Sequence, residues 1–481
     1  MGGVHPPACN FRRNVCPGQH EGRSQDEHSD AIRPPSRGRF AHRSDVNPAT
    51  ATTESRLRRK EGVGPRTAGD VVSSPVMGDA RPVAGRRTER IWTGLDVLVE
   101  KRFAPLRGRT VGLVCNPTSV DRRLRHAADL FHEARGVRLA ALFGPEHGVR
   151  GDLQYMAAAR GGRDRKIGVP VHSLYGNSAG SLRPAGRTLR GLDALVFDIQ
   201  DVGARYYTYQ ATMLFCMEAA AHAKLGFFVL DRPNPIGGRH VEGPALRPGF
   251  GSFCGVHDVA VRHGLTVGEL ASLYRQEKKL DLALTVIPCR GWRRAMLQRD
   301  TRLPWVFPSP NMPTPETALV YPGMCLLEGT NLSEGRGTTR PFELFGAPWL
   351  DADSLSEALS AERLPGVRFR PVRFVPTWDK HAGKRCHGVE VFVVDREAFR
   401  PFRTGVACVA AARAQDPERF RWRTEAYEFV EGIPAFDLLC GSSREREAIE
   451  RGRGWRDLAA DWAREERAFA RRRALHLRYD T

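Results

Sequence analysis

Short apolar runs alternate with helix-like segments from Trp92 to about residue 290, and this alternation restricts the fold more than any other feature of the chain. The runs are RTVGLVCN (109–116), RLAALFGP (138–145), LDALVFDIQ (192–200), GFFVLDRP (226–233) and LTVIPC (284–289). Helical patterns lie between them at 121–136, at 208–226 and from Thr266, where Glu269 completes a capping box. Apolar strands separated by helices are typical of a mostly parallel sheet covered on both faces. The sequence therefore predicts an α/β domain over residues 91–312.

The chain changes character on either side of this domain. Past residue 312 the alternation weakens, and mixed strand and helix patterns predict a smaller α+β domain over 313–481. Residues 1–90 are rich in Arg, Ser, Pro and Gly, so they lack the apolar surface needed to offset the entropy of ordering. We predict a disordered basic tail there, and Met77 is a candidate for the true start.

The composition limits the cellular compartment and the binding partners that can be expected for the chain. No apolar run reaches the roughly 18 residues that span a bilayer, and the N-terminus lacks the apolar core of a secretory signal. As written, the chain is expected to be cytoplasmic, with export open if the start lies elsewhere. The net charge of +19 suits nucleic acid, but arginine is spread over nearly every segment, which favours compositional bias over a binding stripe. The ten cysteines form no CxxC pair and most lie in apolar runs, which predicts structural thiols.

Polar clusters follow each of the first four apolar runs. They read NPTS (116–119), GPEHGVRGD (144–152), DIQDVGARYYTY (198–209) and DRPNPIGG (231–238). Ligands of open parallel sheets bind outside the carboxyl ends of the strands, so these clusters are predicted to share one rim. The predicted cleft residues are Asn116, Glu146, His147, Arg150, Asp152, Asp198, Gln200, Asp201, Arg205, Tyr207, Tyr209, Asp231, Arg232 and Asn234.

This set of side chains indicates the class of ligand. Carboxylates, amides, arginines and tyrosines suit a ligand with many hydroxyl groups, such as a sugar, although several of them could be helix caps or inter-loop ion pairs. The turn after the first run, CNPTSV, lacks the glycines of a dinucleotide site, and the chain contains no Walker A, HExxH or GxSxG motif. Adjacent Glu146 and His147 rarely ligate one ion without further ligands at helical spacing. We predict no metal and no cofactor.

Longer motifs point to a known family. LFGPEHGVRGD, LVFDIQDVGARYYTY, VLDRPNPIGG, SPNMPT and YPGMCLLEGTNLSEGRGTTRPFELFGAPW closely resemble the domain-of-unknown-function 1343 family, from about Val111 to about Gly452. Its characterised members are exo-β-N-acetylmuramidases of the NamZ type. The resemblance implies a Rossmann-like domain followed by a smaller C-terminal domain, and the release of N-acetylmuramic acid from the non-reducing end of peptidoglycan fragments.

The resemblance also implies roles for individual residues. It places the active-site glutamate at Glu146 and an active-site tyrosine within RYYTY, where we favour Tyr207 over Tyr209. It brings the motif residues Asn311, Glu334 and Arg336 into the predicted substrate-binding set. The segment EGTNLSEGRGTTRPFE (328–343) could be a domain linker with satisfied turns. Linkers seldom carry charged and amide side chains at such close spacing, so a loop that closes the cleft from the C-terminal side is favoured.

Glycosidases commonly use two carboxyl groups, one of which protonates the leaving oxygen. Glu146, among glycines and apolar residues, is a reasonable general acid. Its partner stays open among Asp198, Asp201, Glu334 and a tyrosine. The lactyl carboxylate of muramic acid calls for an arginine fork, with Arg150, Arg205, Arg232 and Arg336 as candidates. A non-catalytic cell-wall sugar-binding protein on the same fold is the alternative function.

Overall fold

The structure is a computed structural model that describes residues 90–151, 162–176 and 178–480. The predicted basic tail lies outside the described residues except for Arg90, and so does Asp152 of the predicted cleft.

A seven-stranded sheet forms the centre of the N-terminal domain. Its strands are β1 (Thr110–Cys115), β2 (Arg138–Gly144), β3 (Gly162–Arg163), β4 (Pro170–Ser173), β5 (Ala194–Asp198), β6 (Gly226–Leu230) and β7 (Leu284–Ile287). The spatial order is β3-β4-β2-β1-β5-β6-β7, and every pairing is parallel except that of β3 with β4 at one edge. The predicted mostly parallel sheet is confirmed, since each of the five apolar runs contains a strand of this sheet.

Helices connect these strands, with bounds that differ in places from the sequence pattern. They are α1 (Gly94–Glu100), α2 (Ala127–Glu133), α3 (Tyr209–His222), α4 (Val267–Glu277) and α5 (Gln298–Thr301). The pattern at 121–136 predicts a longer helix than the observed α2. The Asp121 carboxylate accepts the backbone N–H groups of Arg123 and Arg125, and Leu124 has a φ of 63°. These side-chain-to-backbone bonds hold residues 121–125 in a turn that competes with the first helical turns.

The predicted capping box at the start of α4 is present. The Thr266 hydroxyl accepts from the Glu269 backbone N–H at 3.2 Å, and the Glu269 carboxylate accepts from the Thr266 N–H at 2.9 Å. The same hydroxyl donates to Asp231 at 2.8 Å, which ties α4 to the end of β6.

Removal of this cap is expected to destabilise the fold. Thr266→Ala should lower the free energy of unfolding by about 1 kcal/mol, because a buried backbone donor at the helix start loses its acceptor. Urea unfolding followed by circular dichroism measures the change. Thr188→Ala, at an exposed hydroxyl that bonds only to the Ala185 carbonyl three residues earlier, is the control. An unchanged urea midpoint in the Thr266 variant would contradict the expectation.

The C-terminal domain contains a second, smaller sheet. Strands β8 (Leu344–Ala347), β9 (Val367–Phe374) and β10 (Cys386–Val393) are antiparallel, with β10 in the middle. Six helices accompany them: α6 (Pro315–Met324), α7 (Ala352–Ala361), α8 (Pro401–Gln415), α9 (Ala435–Cys440), α10 (Arg444–Glu450) and α11 (Trp455–Ala474). One continuous hydrophobic cluster runs from Phe197 in β5 to Trp462 in α11. The two domains therefore share a core.

The cysteines agree with the structural role expected from composition. All eight cysteines in the described ranges are buried and unbridged, in accordance with a structural role. Among the same residues, no helix is long and apolar enough to cross a membrane.

Candidate active site

The residues after β2 form a tight turn that carries Glu146 and His147. The Gly148 N–H donates to the Pro145 carbonyl at 3.0 Å, and both Glu146 and His147 are buried. His147 has a φ of 70° and Gly148 a φ of 75°, so the turn needs a glycine at 148 and holds a histidine in the left-handed region. Such backbone strain in a non-glycine residue is concentrated at functional sites.

The turn is at the carboxyl edge of the sheet, as predicted. The register pairs Val114 of β1 with Phe143 of β2, and Cys115 of β1 with Asp198 of β5. The loops that follow these three strands consequently emerge at one edge, which is where parallel α/β sheets bind ligands.

A cavity lies beside this turn, and residues of both domains line it. The lining residues are Glu146, His147, Tyr206, Tyr207, Thr208, Tyr209, Cys254, Ser309, Asn311, Met312, Tyr321, Glu328, Arg336, Phe342, Tyr427 and Glu428. The structure thus brings together six of the predicted site residues, namely Glu146, His147, Tyr207, Tyr209, Asn311 and Arg336.

Aromatic rings form one wall of the cavity. The Tyr207 ring makes edge-to-face contacts with Tyr209 at 5.0 Å and with Tyr321 at 5.6 Å between centroids, and Tyr321 in turn contacts Phe342 at 4.9 Å. The Tyr209 hydroxyl donates to the Pro308 carbonyl at 2.6 Å. The Tyr207 hydroxyl lies beside Ser309 but makes no hydrogen bond of normal geometry within the described chain. Burial raises the pKa of Tyr207 well above its usual range, so its phenol stays neutral.

The 328–343 segment also supplies a charged group to the cavity lining. Arg336 Nη2 donates to Glu328 Oε1 at 2.8 Å, and Arg336 Nε donates to Glu334 Oε1 at 3.0 Å. Glu334 stands behind Arg336, where its other oxygen accepts from Lys380 Nζ at 3.0 Å. Lys380, followed by the Arg336 guanidinium, lowers the pKa of Glu334 against the effect of burial. Glu334 therefore positions Arg336 and does not itself line the cavity.

A two-residue turn brings Glu428 to the same cavity. Tyr427 and Val430 exchange both backbone hydrogen bonds at 3.0 Å, with Glu428 and Phe429 between them at φ values of 46° and 67°. Two positive central φ values are the pattern of a type I′ turn, which normally takes Asn-Gly. A non-glycine residue there costs roughly 1–2 kcal/mol. The Phe429 ring lies 6.3 Å from Tyr175 and 6.4 Å from Phe253, so aromatic contacts hold the turn in place.

Two arginines predicted for the cleft lie elsewhere. Arg150 pairs with Asp164 through Nε at 2.8 Å and with Asp129 through Nη2 at 3.0 Å, outside the cavity. Arg205 is fully buried, and it donates to the carbonyls of Pro244, Val259, Leu439 and Cys440 at 2.7–3.0 Å. Four carbonyl acceptors from both domains occupy Nη1 and Nη2, so Arg205 connects the domains and does not reach a ligand.

The remaining predicted rim residues form a polar layer beneath the loops. Asp198 and Arg232 make a buried bidentate pair, with Nε–Oδ1 at 2.6 Å and Nη2–Oδ2 at 3.0 Å. Gln200 donates to two backbone carbonyls, Asp201 accepts from the Gly203 N–H at 2.7 Å, and Asn234 donates to the Leu265 carbonyl at 2.9 Å. None of these residues lines the cavity, because their polar atoms tie the strand-end loops to one another. Gln200 and Arg232 border a separate small pocket next to Trp305.

Sequence reasoning missed several cavity residues. Glu328 lies within the motif 328–343, but the sequence assigns it no individual role. Tyr427 and Glu428 had no local signature, since EAYEFVEG (425–432) carries no turn residue before Gly432. Only the cavity that this segment lines together with the Glu146 turn, more than 250 residues earlier in the chain, reveals their place.

The cavity carries glutamates and tyrosines at the carboxyl edge of an α/β sheet and is lined by both domains, an arrangement that suits a glycoside hydrolase. In the described ranges no three His, Cys, Asp or Glu side chains are grouped as metal ligands. The sequence-family models for the N-terminal and C-terminal domains of the exo-β-N-acetylmuramidase NamZ match residues 111–316 and 319–479, respectively. The chain belongs to the NamZ exo-β-N-acetylmuramidase family, also described as DUF1343.

Individual relatives agree with this membership. The peptidoglycan β-N-acetylmuramidase NamZ of Bacillus subtilis (strain 168) is 44% identical over 390 residues, which cover 81% of this chain and 92% of that protein. A crystal structure of a DUF1343 family protein from Bacteroides fragilis has a TM-score of 0.75 at 37% identity, and covers 81% of this chain and 99% of its own. A second DUF1343 structure from the same organism has a TM-score of 0.64 at 29% identity, with the same coverage.

Proposed function

We propose that the protein is an exo-acting glycoside hydrolase that releases N-acetylmuramic acid from the non-reducing end of peptidoglycan fragments. The observation that carries the proposal is the position of Glu146, on a strained turn in a cavity that residues of the C-terminal domain also line. The 44% identity to a named peptidoglycan β-N-acetylmuramidase supports the substrate class.

Glu146 and Tyr207 form the reaction centre in this proposal. Glu146 is one of the two carboxyl groups that glycoside hydrolysis needs. Tyr207 contributes a neutral hydroxyl, because burial keeps its phenol protonated, and this hydroxyl contacts the reacting sugar. His147, Tyr209 and Asn311 line the same cavity and bind the sugar hydroxyl and acetamido groups.

Arg336 is the residue that we assign to the lactyl carboxylate of muramic acid. Of the four arginines considered from sequence, it is the one that lines the cavity. Glu328 and Glu334 orient its guanidinium through Nη2 and Nε, and its carbon Cζ lies 5.2 Å from the centre of the Phe342 ring. A guanidinium held in a fixed orientation beside the cavity suits a carboxylate ligand.

The function and the lactyl contact are tested together by comparing two substrates. A chromogenic β-N-acetylmuramide should be cleaved at least about tenfold better in kcat/KM than the matching β-N-acetylglucosaminide, because a charge-assisted hydrogen bond is worth roughly 1.5–3 kcal/mol. Binding without turnover of either substrate would favour the sugar-binding alternative. Equal rates on both would remove the lactyl contact from the proposal.

A variant locates the origin of the preference. Arg336→Lys keeps the positive charge beside Glu328 and Glu334 but loses the fork, so the muramide-to-glucosaminide ratio should fall toward one. Arg340→Lys, in the same segment but outside the cavity, is the matched control and should leave the ratio unchanged. A ratio that survives in Arg336→Lys would assign the lactyl contact to another group.

A further inference from the structure

Three carboxyl groups line the cavity among the described residues, and their environments differ. They belong to Glu146, Glu328 and Glu428. Glu328 is committed to structure, because Oε1 accepts from Arg336 at 2.8 Å and Oε2 accepts from the Tyr427 hydroxyl at 2.8 Å. Asp198, Asp201 and Glu334 lie outside the cavity. Glu428 is therefore the candidate for the second carboxyl group of the reaction.

Glu428 combines an unpartnered carboxyl oxygen with a strained backbone conformation. Its oxygen Oε2 is buried without a hydrogen-bond partner among the described residues, in a site that a sugar hydroxyl or glycosidic oxygen could reach. The type I′ turn would be relaxed with Asn-Gly, yet the chain holds Glu428 and Phe429 there at positive φ. An unpartnered buried carboxyl oxygen on a strained turn is unfavourable for folding alone, which suggests that a ligand completes it.

We propose that Glu428 is a catalytic residue that donates a proton to the leaving glycosidic oxygen, while Glu146 is the carboxylate that acts at the anomeric carbon. This assignment rests on the proposed function, and it reverses the role expected for Glu146 from sequence. The C–O bond breaks, its electron pair stays on the leaving oxygen, and the Glu428 proton neutralises that oxygen. Water supplies the hydroxyl group of the released sugar, and its remaining proton restores the acid.

The protonation state of Glu428 agrees with this role. Burial, followed by the negative charges of Glu146 and Glu328, raises the pKa of Glu428 to about 8, against the opposing effect of Arg423 and Arg336. The carboxyl group thus holds its proton at neutral pH and loses it as the pH rises through about 8. A pair of carboxyl groups in one site commonly divides into an acid and a base in this way.

The leaving group provides the test. On a muramic-acid-terminated disaccharide, Glu428→Gln should lower kcat by about 10²-fold or more, because the leaving sugar needs the proton. On an activated aryl β-N-acetylmuramide the loss should stay below about tenfold, because a phenolate leaves without protonation. Glu431→Gln, at an exposed carboxylate three residues on, is the matched control and should match the wild type on both substrates. Equal losses on the two substrates, or near-native cleavage of the disaccharide, would overturn the assignment.

Two further measurements test the role of Glu428 even if the Glu428→Gln variant does not fold. Circular dichroism and the melting temperature establish whether Glu428→Gln is folded. If it is not, the wild-type pH profiles decide, since an alkaline limb near pH 8 should appear for the disaccharide and be weaker for the aryl muramide. Identical limbs would overturn the assignment. Wild-type enzyme that cleaves neither substrate would refute the proposed function itself, whereas normal wild-type cleavage with an active Glu428→Gln variant would refute only the role of Glu428.

Discussion

Replacement of Glu146 by glutamine is expected to lower kcat by about 10²- to 10⁴-fold on both a muramic-acid-terminated disaccharide and an activated aryl muramide. Glutamine keeps the shape of the side chain but cannot act as nucleophile or base at the anomeric carbon. A good leaving group does not replace that function, so the loss should persist on the aryl substrate. This pattern distinguishes Glu146 from Glu428, for which the aryl substrate should be largely spared.

His147→Asn is the comparison for Glu146→Gln. Asparagine tolerates the left-handed conformation, so the turn at φ 70° should be retained. The loss should be smaller, because a neighbouring imidazole orients the sugar or Glu146 and does not replace its charge. Kinetics on both substrates, with folding checked by circular dichroism, decide between the roles. Near-native cleavage of the disaccharide by Glu146→Gln would show that the reaction centre lies elsewhere.

Asp198→Ala is expected to reduce the free energy of unfolding by about 3–5 kcal/mol, because it leaves the Arg232 guanidinium buried without its counter-charge. Both side chains are almost fully inaccessible, and the pair joins the ends of β5 and β6 through two hydrogen bonds. Urea midpoints and melting temperatures measure the loss. If Asp198 bound substrate, as its position at the strand end suggested, the main effect would instead be a raised KM in a stable enzyme.

Two control variants accompany Asp198→Ala. The double variant Asp198→Ala/Arg232→Met should recover part of the lost stability, because the unpaired charge is removed with its partner. Asp281→Ala removes the carboxylate of the exposed pair with Lys224 and should leave the melting temperature unchanged. A double variant less stable than Asp198→Ala would contradict the ion-pair explanation.

The sequence alone determined the parallel sheet and the position of the Glu146 turn. Both depend on local information, since apolar periodicity selects the strands, and glycine at 148 permits the turn at the end of β2. The pairing of strands in one direction then places every strand-end loop at one edge without further knowledge of the side chains. Glu146, His147, Tyr207 and Tyr209, which follow β2 and β5, line one cavity for this reason.

Only the tertiary structure decided which polar residues face the cavity and which hold the fold together. Arg205 and Arg336 look equivalent in the sequence, yet Arg205 bonds to a carbonyl 235 residues away while Arg336 lines the site. Glu428 comes from a segment without a motif, yet it lines the same cavity as Glu146. A buried polar group must find partners, and those partners are set by contacts distant in the chain. Local sequence patterns do not encode such contacts, so they could not predict which carboxyl group accompanies Glu146 in the cavity.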